Sequence, residues 1–470
     1  MKEKIFWIPV ISAVAAAALT FSGCTKSVTA PQAVSEKDVA ALTAAGKTQQ
    51  AAAEDARIGE LLMMPEGFQY ADQMFDKALA LDPNNAKANI YKSVTEPMMA
   101  LKGYIARVEP LMNRKDTRAL ERLRQNIRNL NMPELDDYSE NLASGQTSFQ
   151  NYHDVQRFMR TQVLPAMQDG VDRLNRVDAS TPIQFNFTPA RALIDPTRKT
   201  YYYSYGYSSC TNDPTQGWRC TEDEGTYESS DKQLPNLYFV DRYDLKIMKA
   251  SMLAMVDSIR LATAFSSEGS EDALKQIKAV SDIRQEDGTD LSSQDVIQIL
   301  NSYPALFTLE SDQQLGAIAG SAAQALQYGM ELANLQDTLC KGTSRDATNS
   351  LISPICFEAD TVSSLQTGLD LIAGPKVVSI GTDEDGNDVN ILMDVNAILN
   401  HPPQDLKTLL PNQFDKLGNP TQYPDPTMAG LFPNGDIVSK LKQLGSSSFA
   451  VQASSQGGQA VSCVMDGHLK

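Results

Sequence analysis

The chain has 470 residues, 42% of them hydrophobic, 21% charged and 7% aromatic, and a formal net charge of −17 at pH 7. The acidic surplus repels nucleic acid and anionic lipid head groups, which excludes both as partners. The length allows two or three domains, or one elongated helical unit.

Residues 1–23 read as an address rather than as part of a fold. Lys2 and Lys4 make a short basic start, Ile5 to Phe21 is apolar, and the small residues Ser22 and Gly23 precede Cys24. The segment resembles the lipobox of bacterial lipoproteins, with Phe21 where that family usually has Leu. The resemblance implies cleavage before Cys24, acylation of that residue by palmitate or a similar chain, and anchoring by more than one chain. An ordinary cleaved signal peptide and an uncleaved anchor are the alternatives, although an apolar run interrupted by Pro9 makes a poor span. By analogy with enteric sorting, Thr25 after the cysteine implies the outer membrane, on its periplasmic face or at the cell surface. Losing Lys2, Glu3 and Lys4 takes the net charge from −17 to −18. Residues 24–34 are polar and form a tether.

Residues 35–182 read as helical. Ser35-Glu36-Lys37-Asp38 is a helix-start signal, followed by Ala-rich sequence to about Met64 with a break at Gly46. Pro65-Glu66-Gly67 makes a turn, and the next helix ends at Leu81. Gly59, Ala71, Phe75, Ala78 and Pro83 stand at the spacing of a tetratricopeptide (TPR) repeat, with Ile58 and Leu62 beside them. The pair resembles that family, which implies two helices in close approach, Phe75 filling the space between them and Pro83 ending the second. One repeat length downstream the diagnostic positions hold Ser93, Ile105, Glu109, Met112 and Thr117; upstream they hold Thr25, Lys37, Ala41, Ala44 and Gln49. Neither set repeats the pattern, so a single unit, with a partner helix from Ala86, must be covered by other parts of the chain. Helices are expected at Met98–Met112 between Pro97 and Pro110, at Asp116–Asn129, and at Phe149–Val177 with a kink at Pro165.

Residues 183–239 form a Tyr-rich insertion of strand and loop composition. Tyr201, Tyr203, Tyr205 and Tyr207 share one face if extended, a surface suited to binding or to packing on the helical body. Residues 240–375 return to helices, at Tyr243–Phe265, Leu274–Val280, Asp295–Leu300, Gln313–Leu335 and Thr361–Ile372. In residues 376–470, Lys376 to Asp394 reads as a hairpin about an Asp-Gly turn, and the Pro/Gly-rich remainder as a wrap of loops and short helices. The fold class is thus mainly α, an irregular helical bundle with one TPR-like pair, a β/loop insertion and a C-terminal β-hairpin.

Beyond Cys24 there are five cysteines: Cys210, Cys220, Cys340, Cys356 and Cys463. In an oxidising envelope the local pairs Cys210–Cys220 and Cys340–Cys356 are the simplest disulfides, each adding on the order of 2–3 kcal/mol. Metal binding is the rival, but no CxxC occurs and His153, His401 and His468 are isolated. Asp383, Asp385 and Asn387, with Asp388 and Asp394 beyond, invite a calcium reading, although Asp388 stands where the calcium loop needs Gly. Ser229 and Lys232 fit the SxxK spacing without its companion motifs, and no GxSxG, HExxH or phosphate loop is present. No catalytic residue, cofactor or enzymatic activity is expected.

The segments "FVDRYDLKIMKASMLAMVDSIRLATAF" and "PDPTMAGLFPNG" resemble helical lipoproteins of Bdellovibrio and Leptospira type, a likeness that implies no activity. Together these features lead to the expectation of a lipid-anchored envelope scaffold that binds a protein partner, with Leu62, Tyr70 and Tyr91 lining its groove. The alternative is a small-ligand or glycan-binding lipoprotein beside an outer-membrane transporter, similar in architecture to SusD-like proteins.

Overall fold

A computed structural model describes residues 34–62, 68–111, 145–178, 180, 183–185, 207–213, 217–223, 238–289, 291–334, 359–383, 385–414 and 420–443. The expected leader, the tether up to Ala33, the turn at Pro65-Glu66-Gly67 and the helix at 116–129 lie outside those residues.

The chain is mainly helical. It opens with β1 (Val34–Ser35), α1 (Glu36–Ala44), α2 (Thr48–Leu61), α3 (Phe68–Leu81), α4 (Ala86–Ala100) and α5 (Tyr104–Val108). Next, α6 (Tyr152–Phe158) passes through a π-turn at Met159–Val163 into α7 (Leu164–Asn175). The strands β2 (Ile183–Phe185), β3 (Tyr207–Asp213), β4 (Gly217–Asp223) and β5 (Tyr238–Val240) follow. Helices return as α8 (Arg242–Ala264), α9 (Ser270–Glu286), α10 (Ser293–Asn301), α11 (Asp312–Asn334) and α12 (Ala359–Ala373). The last elements are β6 (Lys376–Thr382), β7 (Asp388–Met393), α13 (Val395–Asn400), β8 (Gln413–Phe414), β9 (Pro420–Gln422) and α14 (Ile437–Gln443). Two compact units result, one of Met1–Ser148, Gln162–Met255 and Leu335–Cys356, the other of Phe149–Thr161, Val256–Asn334 and Phe357–Lys470.

In the first unit α2 and α3 bury Ala51, Ala52, Ala56 and Ile58 against Ala71, Met74, Phe75 and Ala78. Asn85 caps α4 by accepting the Ala88 N–H at 2.9 Å. Tyr91 then stacks on Phe75 with centroids 5.0 Å apart, and Phe185 of β2 meets Tyr91 edge-on at 5.1 Å. α4 is in turn packed by α7. The face that an isolated helix pair cannot bury is therefore sealed by α4 and β2. β2 pairs antiparallel with β5, Ile183 opposite Val240, and so closes the neck of the Tyr-rich insertion. Inside it β3 and β4 form a ribbon, and β1 adds to the free edge of β4.

One expectation about proline needs correction. The helix expected to begin after Pro97 does not: α4 runs through Pro97 to Ala100, and the break comes at Gly103, whose φ is +67°. Pro97 has no N–H to give the Ser93 carbonyl. That carbonyl faces Gly170 of α7, where an added Cβ would lie 2.9 Å from it. The missing bond thus occurs where two backbones come together, and Ser93 is fully buried there. Near Pro165, where a kink is expected, the chain takes the π-turn at Met159–Val163, and Pro165 stands in the first turn of α7, where its missing N–H costs no helical bond.

In the second unit Ala264, Leu315 and Leu399 form one apolar centre, and Ala273, Ile299 and Leu306 another. Gln156 joins them by polar means. Its amide donates to the carbonyls of Ala262 and Phe265 at the end of α8 and accepts from the N–H and hydroxyl of Ser267, each at 2.9 Å. α11 and α12 interlock through reciprocal Leu–Gly contacts, Leu326 against Gly368 and Leu365 against Gly329. The hairpin β6–β7 buries Ile380, Val389 and Ile391 against Ile437 of α14, with Phe432 beside them, so the C-terminal wrap supplies the cover for the hairpin. α9, at 17 residues, is longer than the expected Leu274–Val280 because its outer turns are charged and solvated rather than apolar.

Candidate functional site

The helix pair resembling a TPR unit carries the densest chemistry among the described residues. Gly59 lies against the Phe75 ring: a Cβ there would stand 2.6 Å from Cε1 and 2.8 Å from Cδ1. Ala71, Phe75 and Ala78 are completely buried. Pro83 follows α3, and its carbonyl accepts the Asn89 amide at 3.0 Å. Small residues thus set the separation of α2 and α3, and the aromatic fills it.

Behind this apolar contact runs a buried ionic network that spacing in the sequence did not reveal. The Lys92 ammonium, 3% exposed, reaches Asp72 at 3.0 Å, Asp76 at 2.6 Å and Glu96 at 3.1 Å. Its three donors thus meet three carboxylates. Arg173 of α7 grips Glu96 with a two-pronged contact at 2.7 and 3.0 Å, and the Thr95 hydroxyl donates to Asp72 at 3.1 Å. Burial pushes Asp72 up from its ordinary value, a push that neighbouring Lys92 only partly offsets. Burial also works against the charge on Lys92, but the bonds to Asp76 and Asp72 and the charge of Glu96 outweigh it and hold the ammonium above its usual range. The network opens to water at Asp76, whose side chain is 59% exposed. A second knot binds Lys87 and the Tyr91 hydroxyl to the Glu60 carboxylate, each at 2.8 Å.

Of the three residues expected to line a groove, Leu62 and Tyr91 belong to the core, 3% and 5% exposed, Tyr91 lying against the rings of Phe75 and Phe185. Tyr70 of α3 is 41% exposed and stands beside the exposed Gln69 and Gln73. Tyr207 begins β3 opposite Asp223, and Cys210 is paired directly with Cys220 across the ribbon. Cys24, Tyr201, Tyr203, Tyr205, Ser229, Lys232, Cys340, Cys356 and Cys463 lie outside the described residues.

At the hairpin turn Asp383 accepts the N–H groups of Asp385 and Asn387 at 3.0 and 2.8 Å. The Asn387 backbone bond holds Asp383 below the usual carboxylate range. Asp394 caps α13 through the Ala397 N–H at 3.0 Å. Both carboxylates have backbone partners that account for them structurally. No group of three or more His, Cys, Asp or Glu placed to hold a metal occurs among the described residues. No helix among them is long and apolar enough to cross a membrane. No protein-family model, curated protein or solved structure matches the chain.

Proposed function

We propose that this chain is a non-enzymatic, lipid-anchored protein of the bacterial outer membrane whose first unit is a TPR-like scaffold for a protein partner. The observation that carries this reading is the α2–α3 pair. Its inner face is consumed by α4 and β2, while α3 turns outward a strip of Gln69, Tyr70, Gln73, Asp76 and Lys77 centred on an exposed aromatic. An ordered helix bearing an exposed tyrosine among polar groups suits protein recognition, since tyrosine gives contact area at low entropic cost. The Cys24 lipobox resemblance supports the anchor.

A photo-crosslinking residue at position 70, introduced in cells, tests the scaffold. One discrete envelope protein captured at position 70, but not at Lys278 on α9, is the expected result. Absence of any position-specific adduct contradicts it. The SusD-like alternative draws on the tyrosines that precede β3. It requires glycan binding that is lost when Tyr201, Tyr203 and Tyr205 are replaced together.

A further inference from the structure

The three-stranded sheet joins parts of the chain that the sequence leaves almost two hundred residues apart. β1 pairs antiparallel with β4, Val34 opposite Cys220 and Ser35 opposite Arg219. On the other side of β4, Cys220 is opposite Cys210 of β3. Val34, Cys220 and Cys210 therefore occupy one cross-strand row. Directly opposed residues of an antiparallel pair stand about 4.5–5.5 Å apart at Cα, within the roughly 4.4–6.8 Å window of a disulfide. Among the described residues these two are the only cysteines.

We propose that Cys210 and Cys220 form a cross-strand disulfide that clamps the strand leading to the lipid anchor. The bond pins the register of the ribbon, and a pinned β4 presents a fixed edge to which β1 adds. β1 by itself is two residues long and cannot hold a position. The lipid end of this inference rests on the anchor reading; the clamp on β1 does not. Nine residues, Thr25 to Ala33, separate the strand from the anchor at Cys24, so the chain takes ten steps from Cys24 to Val34. Their fully extended reach is about 35 Å, so the clamp keeps the ribbon within that distance of the bilayer. In chemical terms, a thiolate of the pair attacks the disulfide of an oxidised dithiol exchange partner in the envelope. The second thiolate then displaces that partner, so that one S–S bond forms here and the partner leaves as its dithiol.

The test begins with wild-type protein extracted from envelopes with free thiols blocked, followed by peptide mapping without reductant. A Cys210–Cys220 cross-linked peptide is the expected result. Free thiols at both positions, or a link from either to Cys340, Cys356 or Cys463, overturns the disulfide. Hydrogen exchange then compares the oxidised wild type with the Cys210→Ala/Cys220→Ala double variant. Exchange at Val34–Ser35 and along β4 should be at least roughly tenfold faster in the variant, with α2 and α3 unchanged. Equal protection of β1 in both overturns the clamp. If α2 and α3 also lose protection, brief reduction of the wild type replaces the variant, and the same two outcomes decide. Replacing Cys24 by Ser addresses the anchor alone: release from the membrane supports the anchor and leaves the exchange result unchanged.

Discussion

Gly59 and Phe75 form a contact that could be read from spacing, since the expected helix pair sets a small residue opposite its aromatic. Gly59→Ala would push a methyl to within 3.0 Å of three ring atoms of Phe75, and the ring is held by its stack on Tyr91. Alanine gains about 1 kcal/mol of helix propensity, but overpacking costs about 1–3 kcal/mol. Thermal denaturation should therefore show a net loss of about 1 kcal/mol, largely absent when Phe75→Leu is already in place. A more stable Gly59→Ala protein would contradict the close approach. The Lys92 network was not legible, since nothing in the order of residues pairs Lys92 with Asp72 and Asp76 until α3 and α4 are packed. Lys92→Met leaves Asp72 buried without its cation. Because Asp76 stays in water, the loss should fall near the lower end of the range for broken buried pairs, about 3 kcal/mol by chemical denaturation. A neutral result would mean that the network is not coupled to folding.

Elements were legible wherever a local rule fixed them. The hairpin followed from its Asp-Gly turn; α10, expected at Asp295–Leu300, starts earlier, at Ser293, behind a Ser292–Asp295 capping box in which the Ser292 hydroxyl accepts the Asp295 N–H at 3.1 Å and the Asp295 carboxylate accepts the Ser292 N–H at 3.2 Å. Pro97 misled because α4 runs through it where its backbone lies against Gly170 of α7. The cap also carries a pH dependence. The Ser292 hydroxyl, helped by Arg284, holds Asp295 below the ordinary carboxylate value of 3.8. The unfolded chain therefore binds its proton first, and the stabilisation is present above that value and lost as pH falls through the folded one. Asp383 and Asp425 act in the same direction, the latter held low chiefly by the Thr427 hydroxyl. Asp72 and Asp257 act in the opposite one, since burial raises both and favours the fold as acid is added. Asp295→Asn should cost about 1 kcal/mol at neutral pH, a difference that disappears in acid once the wild-type carboxyl is protonated. A penalty that persists unchanged in acid would contradict the charged cap.

At the scale of the molecule, the insertion at 183–239 was visible as a break in helical composition, and its neck is the β2–β5 pair. The two units were not visible, because the division falls inside the π-turn and inside α8, where helical periodicity continues without a linker. Nor could periodicity reveal that β1 joins a strand almost two hundred residues away. The account of an anchored scaffold depends most on what happens at Cys24. The decisive measurement is the mass of the N-terminal peptide from protein extracted out of native envelopes. A lipid-anchored chain yields a peptide that begins at Cys24 and carries acyl chains. A peptide beginning at Met1, or an unmodified Cys24, would contradict the anchor.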